Sequence, residues 1–282
     1  MENLLSVANE VVHVMKNIYG LDVSVFDESF MQKTISSRCA VQNIPVFPDY
    51  SVYLSNNSAE ASNLLNTLNN NYSEFFRNSL TFANLEQWIL PKLIQQKADS
   101  NELRIWSAGC AAGQEPYSIA MLLEAFSATR STSVRYRIIA TDISNSALET
   151  AKNGEYNEDA LQNMKMKFVK AFFEKTGEKY KVISSLKENI EFSVYDLLDK
   201  NSFYPHESIF GDFDIVFCSN LLFYYKPGQQ QFILNKMIRA MAKDGYLITG
   251  EAEKNLLANR TDLHMAAPPA AIFQFNGLGG TK

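Results

Sequence analysis

The chain has 282 residues, 46% of them hydrophobic, with 26 Lys/Arg against 31 Asp/Glu, a formal net charge of −5 and three cysteines. That is apolar material for one large or two smaller folded units. No apolar run reaches the ~18 residues of a membrane span, and the scattered Cys39, Cys110 and Cys218 exclude a disulfide framework or a zinc cluster. The first ninety residues carry four Lys/Arg and nine Asp/Glu, a balance unsuited to nucleic-acid binding by counterion release. The opening MENLLSVANE lacks the basic and apolar regions of a secretory signal, so a cytoplasmic location without membrane insertion is expected.

In chain order, Leu4, Ala8, Val11, Val12, Met15 and Ile18 form one apolar stripe at helical spacing, stopped by Gly20. A second helix is expected over Glu28–Cys39, before Pro45 and Pro48 break the chain. Short helices follow at Asp49–Leu54 and Ala59–Leu68, then the polar break Asn69-Asn70-Asn71. Helical spacing returns over Phe82–Ile94, and Gln95–Glu102 reads as a connector. An all-helical domain over residues 1–95 is expected, with a second domain over 96–282. From Leu103 strands alternate with helices, the pattern of a parallel sheet covered on both faces. The strands are expected at Arg104–Ser107, Arg137–Thr141, Ile190–Val194, Asp214–Cys218 and Tyr246–Thr249, with an edge strand at Ile272–Phe275 and a helix at Gly228–Ala242. The stretch 153–188 is too long for one crossover helix and is expected to form a small inserted subdomain.

The stretch RIWSAGCAAGQEPYSIAML (Arg104–Leu122) reads as a strand, a glycine loop and a helix opened by Glu115-Pro116. Such an arrangement sets a ligand at the carboxyl end of a parallel sheet. Gly109 and Gly113 stand at G-x-x-x-G spacing, which is neither the three-glycine dinucleotide fingerprint nor a phosphate loop, since no Lys-Ser/Thr follows. The second strand ends in Thr141-Asp142, where a carboxylate accepts hydrogen bonds from ribose hydroxyls. A cofactor with a ribose and no phosphate fits: S-adenosylmethionine. Three scattered histidines offer no metal-ligand spacing, and no metal is expected.

Six segments, in order along nearly the whole chain, resemble the chemotaxis receptor methyltransferases, the CheR family. NNYSEFFRNS (Asn70–Ser79) is similar to its N-x-T-x-F-F-R segment, and SAGCAAGQEPYSIAM (Ser107–Met121) to its glycine loop. ATDIS (Ala140–Ser144), DLLD (Asp196–Asp199), FCSNLLFYY (Phe217–Tyr225) and DGYLITGEAE (Asp244–Glu253) match the later strand ends. The resemblance implies a Rossmann-like α/β S-adenosylmethionine-dependent methyltransferase domain behind an N-terminal all-α domain. It also implies a protein-glutamate O-methyltransferase acting on the cytoplasmic helices of a chemoreceptor and leaving S-adenosylhomocysteine. A monomer is expected. Carried onto this chain, the cofactor contacts are Asn71, Ser73, Arg77, Gly109, Glu115, Asp142, Asp196, Leu197, Asn220 and Leu221. Asp142 would hold the ribose, Asp196 and the Leu197 backbone the adenine, and Asn220 the methionine portion. Arg77 and Tyr224 would orient the incoming carboxylate. That carboxylate is ionised at neutral pH, so no general base is required.

The chain departs from the family pattern at Asp196, Ser219 and Ala252, where Asn, Arg and Ser are usual. Asp196 accepts hydrogen bonds but cannot donate as Asn does. Glu174–Val182 is too short for the glycine-containing loop with which some members hold a receptor's C-terminal peptide. Two alternatives stay open: a protein that binds the methyl donor or its product with little turnover, and a methyltransferase acting on another signalling protein.

Overall fold

The computed structural model describes residues 2–44, 47–69, 72–97, 102–130, 133–208, 210–258 and 260–275. Four helices open the chain: α1 (Glu2–Tyr19), α2 (Glu28–Val41), α3 (Phe47–Ser55) and α4 (Ser58–Leu68). Two start at side-chain caps. Asp27 accepts from the N–H groups of Ser29 and Phe30, and Asn57 from that of Glu60, filling donors a helix start leaves open. With Leu222–Phe232 these helices form one compact unit, Met1–Asn70 plus that segment. The later segment joins through an antiparallel bridge, Phe26 to Tyr225, flanked by Asp27 N–H to Tyr224 O at 2.8 Å and Lys226 N–H to Val25 O at 2.9 Å.

Val11, Met15, Ile35, Tyr50, Leu54 and Leu64 fill the core of this unit. Against them lies a buried carboxylate, Glu60. It accepts from Arg38 Nε at 2.8 Å and Nη2 at 2.5 Å, from Tyr50 Oη at 2.7 Å and from Gln42 Nε2 at 2.8 Å. Burial alone would raise this carboxyl group, but the donors from Arg38 and Tyr50 outweigh it and hold it below the usual range. Glu60→Ala leaves the guanidinium uncompensated and is expected to cost about 3–5 kcal/mol, read as a lower denaturation midpoint. A depressed folded-state value means this stabilisation is present above the unfolded carboxylate range and lost as pH falls through the folded value. Wild type and Glu60→Ala should therefore converge in stability in acid.

The second unit comprises Asn71–Leu221 and Ile233–Lys282. It begins with α5 (Ser79–Asn84), a π turn at Leu85–Ile89 and α6 (Leu90–Gln96). Pro91 has no N–H for the carbonyl one turn back, and the wider turn lets the helix continue past its ring. Phe82, Leu85, Ile89, Leu90 and Leu93 share one core with the sheet, so the compact units divide at residue 70, ahead of the expected junction at 95. Helical periodicity shows that a face is buried without showing which core buries it.

The elements that follow are β1 (Leu103–Ala108), α7 (Gln114–Arg130), β2 (Tyr136–Asp142), α8 (Asn145–Asn153), β3 (Glu155–Asn157), α9 (Met166–Phe172), β4 (Phe173–Thr176), β5 (Lys179–Val182), α10 (Ser184–Lys187), β6 (Ile190–Val194), β7 (Phe213–Cys218), α11 (Pro227–Ala240), β8 (Met241–Thr249), α12 (Lys254–Leu257), β9 (Leu263–Met265) and β10 (Ile272–Phe275). The main sheet runs β6-β2-β1-β7-β8-β10-β9, with the first five strands parallel. β7 is buried at every position and β1 at all but one, as expected of strands covered on both faces. β3, β5 and β4 form a separate antiparallel sheet, and β4 and β5 are joined by the two-residue turn Gly177-Glu178. Gly177 has φ +63°, suited to that turn.

Two expectations are corrected. Ile272–Phe275 is not the edge strand, because β10 pairs antiparallel with β8 on one side and with β9 on the other. The three residues of β9 are too few to show a period. The helix expected to reach Ala242 ends at Ala240, because Met241 already pairs with Phe213 in the sheet. Among the described residues no helix is long and apolar enough to cross a membrane.

Candidate functional site

Strand order reverses between β1 and β7, and the crevice of an open parallel sheet lies at such a point, beyond the carboxyl ends of the strands. The glycine loop leaves β1 there. Gly109 adopts φ +76° and Gly113 φ +91°, and a Cβ on Gly113 would sit 2.8 Å from Ala151 Cβ, so neither position suits another residue. The N–H groups of Gly109 and Cys110 both donate to Thr141 O at the end of β2. Next along β2, the buried Asp142 accepts from Ala111 N–H at 2.8 Å and Ser144 N–H at 2.9 Å. Burial raises its carboxyl, and these backbone donors partly offset that. A carboxylate offers about four lone-pair sites, so one at this place can also accept from a ligand hydroxyl.

Arg77 lies in a tight reversal whose neighbours, Phe76 (φ +54°) and Asn78 (φ +62°), are both left-handed, a costly backbone held by its surroundings. One anchor is Ser118 on α7. Its Oγ accepts from Phe76 N–H at 2.9 Å while donating to Gln114 O at 2.7 Å. The Arg77 guanidinium lies 5.3 Å from the centroid of the Tyr72 ring. In the first turn of α7, Glu115 accepts from Ser107 Oγ at 2.6 Å. The residue keeps some exposed surface but its carboxylate is desolvated. Burial pushes it up to about 7 against the lowering influence of Ser107 and Arg77, with Glu253 adding to the rise.

Beyond β7, Asn220 adopts φ +59°. Its loop is held by Glu253, a fully buried carboxylate beyond β8. Glu253 accepts from the N–H groups of Asn220 (2.8 Å), Leu221 (2.7 Å) and Gly250 (2.8 Å). The Asn220 side chain accepts from Asn78 Nδ2 at 3.2 Å, linking this loop to the Arg77 reversal. Leu221 packs over Gly109, 3.2 Å from where a Cβ would stand. Gly250 faces the Asn220 amide more closely still, its absent Cβ being 2.4 Å from Nδ2. Gly250→Ala is therefore expected to displace Asn220 and weaken adenosyl-ligand binding at least tenfold in a calorimetric titration.

The fourth loop follows β6. Tyr195 N–H donates to Asp142 O at 3.1 Å, and Asp196 closes an Asx turn by accepting from Leu198 N–H at 2.8 Å. Asp196 is exposed and Leu197 buried. The buried Lys236 donates to Asp199 O at 2.6 Å, and its ammonium lies 5.0 Å from the Tyr195 ring centroid, stiffening this loop from α11.

Of the residues expected at the site, Gly109, Glu115, Asp142, Asp196, Leu197, Asn220 and Leu221 stand in or beside loops at the carboxyl ends of the parallel strands, and Asn78 ties the Arg77 segment to Asn220. Ser73 is partly buried in the segment before that reversal. Asn71 lies outside the described residues. Tyr224 belongs to the first compact unit, its ring 4.6 Å from Phe30 and 4.3 Å from Phe223 between centroids. Sequence reasoning missed Ser107, Ser118 and above all Glu253. A Glu three residues after a Gly at a strand end has capping-box spacing, and that signal was present.

The site suits a ligand that carries positive charge and hydroxyl groups. Glu115 is a desolvated carboxylate that accepts from Ser107 Oγ, and Gln114 Oε1 is buried without a partner. Among the described residues no group of three or more His, Cys, Asp or Glu is arranged to hold a metal ion.

Strand order, the reversal at β1/β7 and the antiparallel strand beside β8 define the Rossmann-like fold of S-adenosylmethionine-dependent methyltransferases. The family described as CheR methyltransferase, SAM binding domain, matches residues 71–270, and the chain belongs to it. Similar proteins are a chemotaxis protein methyltransferase of Borreliella burgdorferi (31% identity over 87% of both chains) and one of Listeria monocytogenes (28% over 86% of this chain and 88% of the relative). The chemotaxis protein methyltransferase 1 of Pseudomonas aeruginosa is 33% identical over 67% of this chain and 68% of its own.

Proposed function

We propose that this methyltransferase transfers a methyl group from S-adenosylmethionine to glutamate side chains on the cytoplasmic helices of a chemoreceptor, acting as a cytoplasmic monomer. The observation that carries the reading is the convergence of Asp142, the desolvated Glu115 and the Glu253-held Asn220–Leu221 loop around the β1/β7 crevice. The likeness to chemotaxis protein methyltransferases supports the acceptor.

When bound, S-adenosylmethionine supplies an electrophilic methyl group on a sulfonium. In this reading Asp142 accepts from the ribose hydroxyls, Asp196 and Leu197 flank the adenine, and Asn220 holds the methionine portion. Glu115 supplies negative charge, and Gly109 keeps the loop free of a side chain. Arg77 orients the acceptor carboxylate by charge-assisted hydrogen bonds. The acceptor is already an ionised nucleophile, so these residues act by positioning and by excluding water. Each transfer converts a carboxylate to a neutral ester and changes like-charge repulsion along the acceptor helices.

A receptor fragment incubated with labelled S-adenosylmethionine should release labelled methanol on alkali treatment. Tight binding of donor and product without such release would replace this reading with that of a binding protein. Cofactor binding should also respond to pH. An ionised Glu115 attracts a cation and a protonated one does not, so donor affinity is expected to rise as pH climbs through about 7. Glu115→Gln should flatten that slope, and a calorimetric pH series checks it.

A further inference from the structure

Among the described residues Lys236 is the one buried lysine, 2% exposed on α11. Lysine is rarely buried unless it is paired, because its ammonium must give up water. This one is placed against the turn that follows β6. Its ammonium donates to Asp199 O at 2.6 Å and lies 5.0 Å from the Tyr195 ring centroid, so it braces both ends of the segment that carries Asp196 and Leu197. Tyr195 is fixed further by the edge-on ring of Trp106 at 5.7 Å and by its own hydroxyl, which donates to Ser202 O at 2.9 Å. Within the turn, Asp199 N–H donates to Asp196 O at 3.1 Å. Three residues along α11, the Arg239 guanidinium covers the Phe203 ring at 3.8 Å, so the same helix steadies the far end of the connection. Burial pushes the Lys236 ammonium down, and the carboxylates of Asp199 and Asp196 draw it back up. The cation is thus coupled to Asp196, the exposed carboxylate that stands where the family usually has Asn.

We propose that Lys236 is a positioning residue for base specificity, holding the Tyr195–Asp199 turn and balancing the charge of Asp196 so that its carboxylate selects a purine with a 6-amino donor. The inference rests on the adenosyl-donor reading above and adds how the base is chosen. A carboxylate only accepts hydrogen bonds, whereas an amide can turn to present either a donor or an acceptor. An asparagine at this place would meet a 6-oxo purine by presenting its amino group; Asp196 meets it acceptor to acceptor. A site built around an N–H donor rejects the analogue that lacks it, since the site's own polar group is then left unpaired. Asp196 accepts from Leu198 N–H at 2.8 Å, and a carboxylate has about four lone-pair sites, so it can also accept from a base amine. Asp196 and Asp199 repel each other within one short turn, and the buried ammonium offsets that repulsion.

The test is a calorimetric titration of the full chain with S-adenosylhomocysteine and with S-inosylhomocysteine, in which a 6-oxo group replaces the 6-amino group. The wild type is expected to prefer the adenosyl thioether at least tenfold. Lys236→Met should weaken S-adenosylhomocysteine at least tenfold and S-inosylhomocysteine less than threefold, so that the preference collapses. The thermal midpoint of the unliganded variant should not fall, because methionine has a similar volume and removes a buried charge. Asp196→Asn should also reduce the preference, and adding Lys236→Met to it should weaken S-adenosylhomocysteine less than threefold, the non-additivity of residues that act together. Equal loss of both thioethers in Lys236→Met, or no loss of either, overturns the specificity role, as does full additivity in the double variant. Should Lys236→Met fail to fold, Asp196→Asn decides alone, and an unchanged preference overturns the inference. Equal binding of the two thioethers by the wild type overturns it and leaves the proposed function standing. Binding of neither overturns both.

Discussion

Glu253→Gln is expected to lower S-adenosylhomocysteine affinity by about 10- to 100-fold and global stability by about 2–3 kcal/mol. The carboxylate is fully buried and accepts from at least three backbone N–H groups on two loops, those of Asn220, Leu221 and Gly250. Glutamine has one carbonyl oxygen and an amide that itself donates, so at least one of these N–H groups loses its acceptor in a dry site. A hydrogen bond to a charged group contributes about 1.5–3 kcal/mol, and an unsatisfied buried donor costs about 1–3 kcal/mol. Asn220 sits in the left-handed region, which Asn tolerates better than most residues, and the bonds to Glu253 fix it there. The substitution should leave a specific electrostatic mark as well. Glu253 raises the Glu115 carboxyl, so removing its charge moves the pH midpoint for donor binding downward. Calorimetry at several pH values reads both effects, and an unmoved midpoint with unaltered affinity would falsify the positioning role.

Arg77→Ala is expected to lower kcat/KM for a receptor fragment by about 10²-fold or more, the scale associated with losing the orientation of a reacting group. Arg77→Lys should recover only part, because an ammonium cannot reproduce the planar fork of a guanidinium. Its signature is opposite in sign to that of Glu253. Arg77 lowers the Glu115 carboxyl, so its removal moves the pH midpoint for donor binding upward. Tyr225→Phe is the reference, since that ring stacks on Phe26 at 5.4 Å and has no assigned part in transfer. Tyr224→Phe keeps the ring contact with Phe30 and removes only the hydroxyl. If Arg77→Ala, Tyr225→Phe and wild type transfer methyl groups equally fast, the role given to Arg77 is wrong.

Much of the site was legible because it is local. G-x-x-x-G after a strand, Glu115-Pro116 at a helix start and Thr141-Asp142 at a strand end each draw their meaning from neighbours within a few residues. The same holds for the helices and parallel strands, whose periods span single elements. Misplaced features were those whose cause is distant. β9 has no period in three residues, and α11 stops at Ala240 because Met241 is claimed by a partner nearly thirty residues earlier, Phe213. Glu253 was visible as a letter in DGYLITGEAE. Its value comes from three N–H groups, two of them more than thirty residues away.

From its sequence alone this chain is an α/β protein with a nucleoside-cofactor loop, because hydrophobic period, glycine spacing and turn chemistry are set by covalent neighbours. Only the tertiary structure decided that α5 and α6 join the core of the sheet, that Asp142 and Glu115 are desolvated, and that one buried carboxylate binds two loops together. Burial and charge environment are sums over every atom nearby, and those atoms come from all parts of the chain once it has folded.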